Sequence, residues 1–134
     1  MNGVVVVRSL LITHAPLTTI VSADRVIAGV IPQGAVLPAI SLMSISSIDR
    51  NILQPGAHRH VAERVQVTVL AATYSEAKTL MKTVRAAAAD QSPSVAGLIA
   101  ITVHTDSAGP DFTDSMTGLH LQTQDFRVSY LEAR

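Results

Sequence analysis

Ala39-Ile-Ser-Leu-Met-Ser-Ile-Ser46, then Glu63-Arg-Val-Gln-Val-Thr-Val-Leu70, then Thr73-Tyr-Ser-Glu-Ala-Lys-Thr-Leu80 decide the fold class of this chain. In the second segment Val65, Val67 and Val69 share one face while Arg64, Gln66 and Thr68 share the other. That two-residue period marks a strand with one side buried. The first segment alternates less cleanly. Ile40, Leu42 and Ser44 face one way, and Ser41, Met43 and Ile45 the other, so both faces are partly apolar. In the third, Thr73 and Glu76 have the spacing of a capping box, which places a helix N-terminus there. Ala77, Leu80, Met81, Val84 and Ala88 then form an apolar stripe, with Lys78, Lys82 and Arg85 off it. The spacing predicts a helix from Ser75 to Asp90, before Ser92-Pro93.

Outward from this centre, Arg25 to Ile31 reads as a short strand with Gly29 as a bulge or close approach. Pro32-Gln-Gly is a turn signal, and Pro38 fits the first position of the next strand. The β-branched run Val4 to Val7 favours a strand, yet Val4, Val7, Leu10, Leu11 and His14 fall at helical spacing. A helix is expected over Val4 to Thr13, closed by Pro16. Leu98 to His104 reads as a strand, and Leu119 to Leu131 as the last one. In the last strand the apolar positions switch from odd (Leu119, Leu121) to even (Phe126, Val128, Tyr130), which predicts a bulge near Thr123 to Asp125. Ser47 to Val61 and Thr105 to Gly118 read as long irregular loops, expected to be mobile in a free subunit and ordered against neighbours. The order α-β-β-β-α-β-β makes an α+β domain: a mainly antiparallel sheet of about four to five strands with two helices on one face.

At 134 residues the length fits one domain, spanning 1–134, able to bury roughly two-thirds of its unfolded surface. Hydrophobic residues make up 48% but aromatics only 3%, so the core must be aliphatic. With few aromatic walls available, a small-molecule pocket is disfavoured. Charged residues are 15% against a usual figure of roughly 25%, and mean hydropathy is +0.36. A domain so poor in charge is expected to cover much of its surface with other protein. Zero formal net charge argues against sequence-specific nucleic-acid binding, which needs a surplus of cations to displace counterions from phosphate. The absence of cysteine excludes disulfides and thiolate metal sites. Arg8 interrupts the N-terminal apolar run, which has no basic leader or cleavage signal, so no signal peptide is expected. No run reaches the roughly 20 apolar residues of a membrane span, so a soluble protein of intracellular origin is expected.

Residues that carry chemistry are sparse. His58 and His60 share a face of an extended segment, but two ligands do not make a metal site. Asp106, Asp111 and Asp114 lack the alternation and terminal Glu of a calcium loop. Nucleophile elbows, phosphate-binding glycine loops and the zinc-protease helix signature are absent. No catalytic, cofactor or metal residue is assigned. The charges are expected to matter in assembly instead. Arg50, His58, Arg59, His60 and Arg64 lie in or beside the first loop, and Asp106, Asp111 and Asp114 in the second. The expectation is that the two loops meet across a boundary between subunits or rings, with Arg59 opposite Asp111.

The stretch from Arg25 to Asp90 resembles the tail completion (tail terminator) proteins of long-tailed bacteriophages. The resemblance rests on the Pro32-Gln-Gly turn, the strand entry Leu37-Pro38-Ala39-Ile40, the strand led by Glu63, and the helix beginning Glu76-Ala77. The chain departs from the pattern where Leu70-Ala-Ala-Thr-Tyr74 replaces a tryptophan-containing segment, and in its histidine-bearing first loop. The resemblance implies a virion protein forming a homohexameric ring that ends tail-tube polymerisation and joins the tail to the head connector. Its implied partners are itself, the tail tube protein and the connector or stopper protein. It implies no cofactor and no catalytic residue. Two other classes compete with it: another connector ring component, such as a stopper or adaptor, and a small α+β enzyme with a histidine-lined pocket.

Overall fold

Strand β3, His58–Ala71, is the spine of the sheet, and its odd positions from Val61 to Ala71 are all buried. The computed structural model describes residues 2–32, 34, 36–114 and 116–134. The elements in chain order are α1 (Gly3–Ile12), α2 (Ala15–Thr18), β1 (Val26–Ala28), β2 (Ala39–Arg50), β3, α3 (Tyr74–Ala88), β4 (Leu98–Ala108), β5 (Phe112–Thr113) and β6 (His120–Ala133). The sheet order is β1-β2-β3-β6-β4, with β5 also on β6. Every pairing is antiparallel except β1 with β2. The α+β class is therefore as expected, but six strands and a third, short helix exceed the expected count.

The helices lie on one face. Val6, Val7 and Leu11 of α1, and Leu80 and Val84 of α3, are fully buried with Ile40, Leu42, Val65, Val67, Val69, Phe126 and Val128 from the sheet. The β-branched N-terminal run is thus a helix, as its spacing predicts. Pro16 does not close it. Proline is tolerated in a first helical turn because its missing N–H would have no partner there, and Pro16 sits in the first turn of α2. Thr73 caps α3 as read, its side chain accepting the Glu76 N–H at 3.2 Å. β1 ends three residues earlier than expected, before Gly29, whose φ of 99° is a left-handed conformation that favours glycine. Of the Pro32-Gln-Gly turn, Gln33 lies outside the described residues.

Strand extends well into both expected long loops. β2 continues to Arg50 and β3 begins at His58, leaving only residues 51–57 as the hairpin turn. Polar side chains hid these arms: residues 45–50 of β2 are exposed on both faces, and of residues 58–61 of β3 only Val61 is buried, so little alternation is demanded. In the second region β4 continues to Ala108, β5 resumes the same edge of β6, and a turn at Met116 and Thr117 leads into β6.

The bulge expected in β6 is also absent. Its register with β3 is unbroken from Ala71↔His120 to His58↔Ala133. Leu119 and Leu121 simply lie on the opposite parity, against the face that the helices do not cover. Register shifts fall instead in β2, between Ser44 and Ser46, and twice in β4.

Candidate functional site

The uncovered face of the sheet and its two ends carry most of the charges singled out in the sequence and a set of exposed apolar groups. Most polar is the middle of that face. Arg64 on β3 lies directly opposite Arg127 on β6, a like-charged pair that needs compensation. Asp106 supplies part of it, 3.5 Å from Arg64 Nε and 3.6 Å from Arg127 Nη2. Asp125 supplies more: its Oδ2 accepts from Arg64 Nε at 2.7 Å and also contacts Nη2. Arg64 Nη2 further donates to Ser107 Oγ at 3.1 Å. Two expected boundary residues, Arg64 and Asp106, thus meet within one chain.

On the helix side a second polar knot fastens α1 to the sheet. Glu63 is 1% exposed, and its Oε1 accepts the Gly3 N–H at 3.0 Å and the Tyr130 hydroxyl at 2.9 Å. A carboxylate suits a helix start, where free N–H groups and the helix dipole are positive. Gly3 is required by space. A Cβ there would stand 2.7 Å from Glu63 Cδ. Burial raises the Tyr130 hydroxyl well above the ordinary phenol range; the Asn2 amide opposes this and Glu63 adds to it. Glu63 had a signal in the sequence, since it shares the parity of Val65, Val67 and Val69. Tyr130 likewise shares the parity of Phe126 and Val128, whereas Asp125 and Arg127 had no signal, because their partners are set by strand register.

One end of the sheet is the β2–β3 hairpin. Here Arg50 pairs with His60 across the ladder, and His58 with Ala133. Arg59 and His60 are half-buried, whereas Arg50 and His58 are exposed. His58 and His60 do share a face, yet no group of three metal-ligating side chains exists among the described residues. Apolar exposure dominates this end: Ile48 is 63% exposed, Ile52 61%, and Leu53 fully so.

The other end gathers the second acidic set. Asp111 accepts from the Tyr74 hydroxyl at 2.8 Å and from Lys78 Nζ at 2.9 Å, tying the segment before β5 to the start of α3. Asp111 therefore has partners in its own chain. Asp114 precedes the turn at Met116 and Thr117; its Oδ1 accepts the Met116 N–H at 3.0 Å and its own N–H donates to Leu119 O at 2.9 Å. Beside this turn, Ile31, Pro32, Leu37, Leu70, Thr117 and Leu119 line a cavity of about 370 Å³.

The Lys78 bond holds the Asp111 carboxyl below its usual range, with Tyr74 assisting, and the Asp111 bond holds the Lys78 amine above its own. A lowered carboxyl contributes above its unfolded value, about 3.9, and is lost as pH falls through the folded value. A raised amine contributes below about 10.4 and is lost as pH rises through its folded value. The tie is therefore expected to hold from about pH 4 to about pH 10. NMR of the Lys78 ammonium and the Phe112 amide should move together only outside that window. Movement at neutral pH would mean that this bond does not hold the segment.

The described residues contain no helix long and apolar enough to cross a membrane. The histidines are spread over the link before α2 (His14), the hairpin, β4 (His104) and the start of β6 (His120). His104 pairs with Asp90 on the surface at 2.9 Å.

A model of the family described as tail completion protein gp17 matches residues 5–131. Among solved structures, a chain of the virion of the native gene transfer agent (GTA) particle superposes with a TM-score of 0.67 at 15% identity. The match covers 93% of this chain and 91% of that one. At that identity the likeness is one of fold. A search of curated proteins found no match.

Proposed function

The chain belongs to the tail completion protein gp17 family, and from that premise we propose that it forms a ring ending tail-tube polymerisation. It is a structural tail protein of a phage-like virion. In this reading residues 1–134 form one tail-terminator-like domain, and six copies close the ring at the head-proximal end of the tail. One side of the ring meets the tail tube protein, and the other meets the head connector or stopper protein. Subunits assemble in the host cytoplasm, and the role is mechanical, without a catalytic residue, cofactor or metal. Arg50, His58, Arg59 and His60 on the hairpin and Asp114 at the opposite end are its proposed interface residues. Arg64, Asp106 and Asp111, which have partners in their own chain, would act there by shaping the surface.

The family match over residues 5–131 carries this reading. Low charge and an exposed apolar hairpin support it, because a surface that stays wet is expected to be richer in charge. Closed cyclic symmetry lets one heterologous contact satisfy every subunit. Electron microscopy of particles made without this protein tests it. Expected are headless tails of irregular length and filled heads without tails. Light scattering across a concentration series should also find assembly. A strict monomer, with no ring on tails made in its presence, would overturn the proposal. A ring on filled heads but not on isolated tails would make it a stopper or adaptor.

A further inference from the structure

Apolar side chains project from one end of the sheet, and an apolar cavity opens at the other. Resting on the ring reading above, we infer that neighbouring copies join head to tail, with Ile52 and Leu53 of one copy seated in the next copy's cavity among Ile31, Leu37, Leu70 and Leu119. Reach makes this contact intermolecular. Leu70, which lines the cavity, and His58, at the base of the turn, are 12 residues apart on one unbroken strand. At about 3.3 Å per residue that is roughly 40 Å, so a hairpin cannot fill its own cavity. The cavity volume, about 370 Å³, is within the roughly 300–1,000 Å³ of clefts that hold apolar ligands. Charge agrees with the fit. Exposed Arg50 and His58, with Arg59, flank the turn, while Asp114 is exposed beside the cavity-lining Leu119. A tip and a cavity on different surfaces make a heterologous contact, which closes into a ring when the rotation per subunit allows.

The sequence has no cysteine, so introduced thiols report this contact without background. In a chain carrying both Leu53→Cys and Thr117→Cys, a short thiol crosslinker applied to assembled protein should give a covalent ladder up to the ring size. Leu53→Cys alone should give none. Leu53→Asp, at a fully exposed site, should keep the fold and lower assembly at least tenfold. Thr117→Trp, at the exposed cavity mouth, should do the same by blocking it. Mixing these two variants leaves one sound contact per pair, so dimers but no rings should form. Efficient dimers of Leu53→Cys alone would mean tip-to-tip packing and overturn the inference. Rings without the ladder would overturn this contact and leave the ring reading intact. Normal rings of Leu53→Asp that fail to complete tails would assign the tip to the tail tube instead. Monomers both free and on tails would overturn both.

Discussion

Glu63→Ala is expected to destabilise the domain by about 3 kcal/mol, lowering the melting temperature by roughly 10 °C. Two donors lose their acceptor together, the Gly3 N–H and the Tyr130 hydroxyl. An unsatisfied buried donor costs about 1–3 kcal/mol, and the deleted side chain leaves a void as well. The two donors share one site, so their penalties do not simply add, and the expectation is set below the sum for that reason. Tyr130→Phe removes two hydrogen bonds, the one donated to Glu63 and the one accepted from the Asn2 N–H at 3.2 Å, and should cost about 2 kcal/mol. Hydrogen exchange should localise the damage, with α1 amides losing protection before those of β3 and β6. A Glu63→Ala variant within 1 kcal/mol of the parent in urea unfolding would show that the knot does not hold α1.

Arg64→Met should cost about 2 kcal/mol, although half of the arginine is in water. Asp125 is the reason. Its side chain is 7% exposed, and without Arg64 it keeps only Ser107 Oγ at 3.5 Å. Breaking a buried pair costs about 3–5 kcal/mol, and the 42% exposure of the Arg64 side chain scales that down through solvent screening. Adding Asp125→Asn should recover part of the loss, since the stranded group is then neutral. Urea unfolding of the two singles and the double is the measurement. No recovery in the double would mean that the arginine acts through Asp106, or through packing of its stem. This ion cluster is a property of one subunit, so Arg64→Met is expected to change stability more than ring assembly.

The element types near the centre were legible. Val65, Val67 and Val69 announce a half-buried strand, and Thr73 with the stripe from Ala77 to Ala88 announces a capped helix. Both patterns are local, because a period of two or of 3.6 reports directly which side of an element is covered. The same reasoning chose a helix for Val4 to Thr13 against β-propensity, since packing outweighs propensity. It failed at the hairpin arms. There the β2 arm stays exposed on both faces and the facing β3 arm is only partly covered, so the chain is free to place Ser, Asp, Arg and His with little alternation.

The site was less legible than the fold. Sequence reading collected Arg50, Arg59, Arg64, Asp106, Asp111 and Asp114 as loop charges free to meet across a boundary. Tertiary structure gives Arg64, Asp106 and Asp111 partners inside the chain, and leaves Arg50 and Asp114 exposed at opposite ends. The switch of apolar parity in β6 was real but misassigned. Leu119 and Leu121 serve the uncovered face, where Leu119 lines the cavity, so the strand needs no bulge.

By itself the sequence determined an aliphatic α+β domain, its two main helices, the centres of its strands and its shortage of charge. Each follows from composition or from a period read over a few residues. Only the tertiary structure decided that Glu63 meets Gly3 and Tyr130, 60 and 67 residues away, and that Arg64 meets Asp125, 61 residues away. The register of β3 on β6 sets the contacts of Glu63 with Tyr130 and of Arg64 with Asp125, and the seating of α1 on the sheet sets the one with Gly3. That register is fixed by the fit of many side chains at once, and no local period contains it.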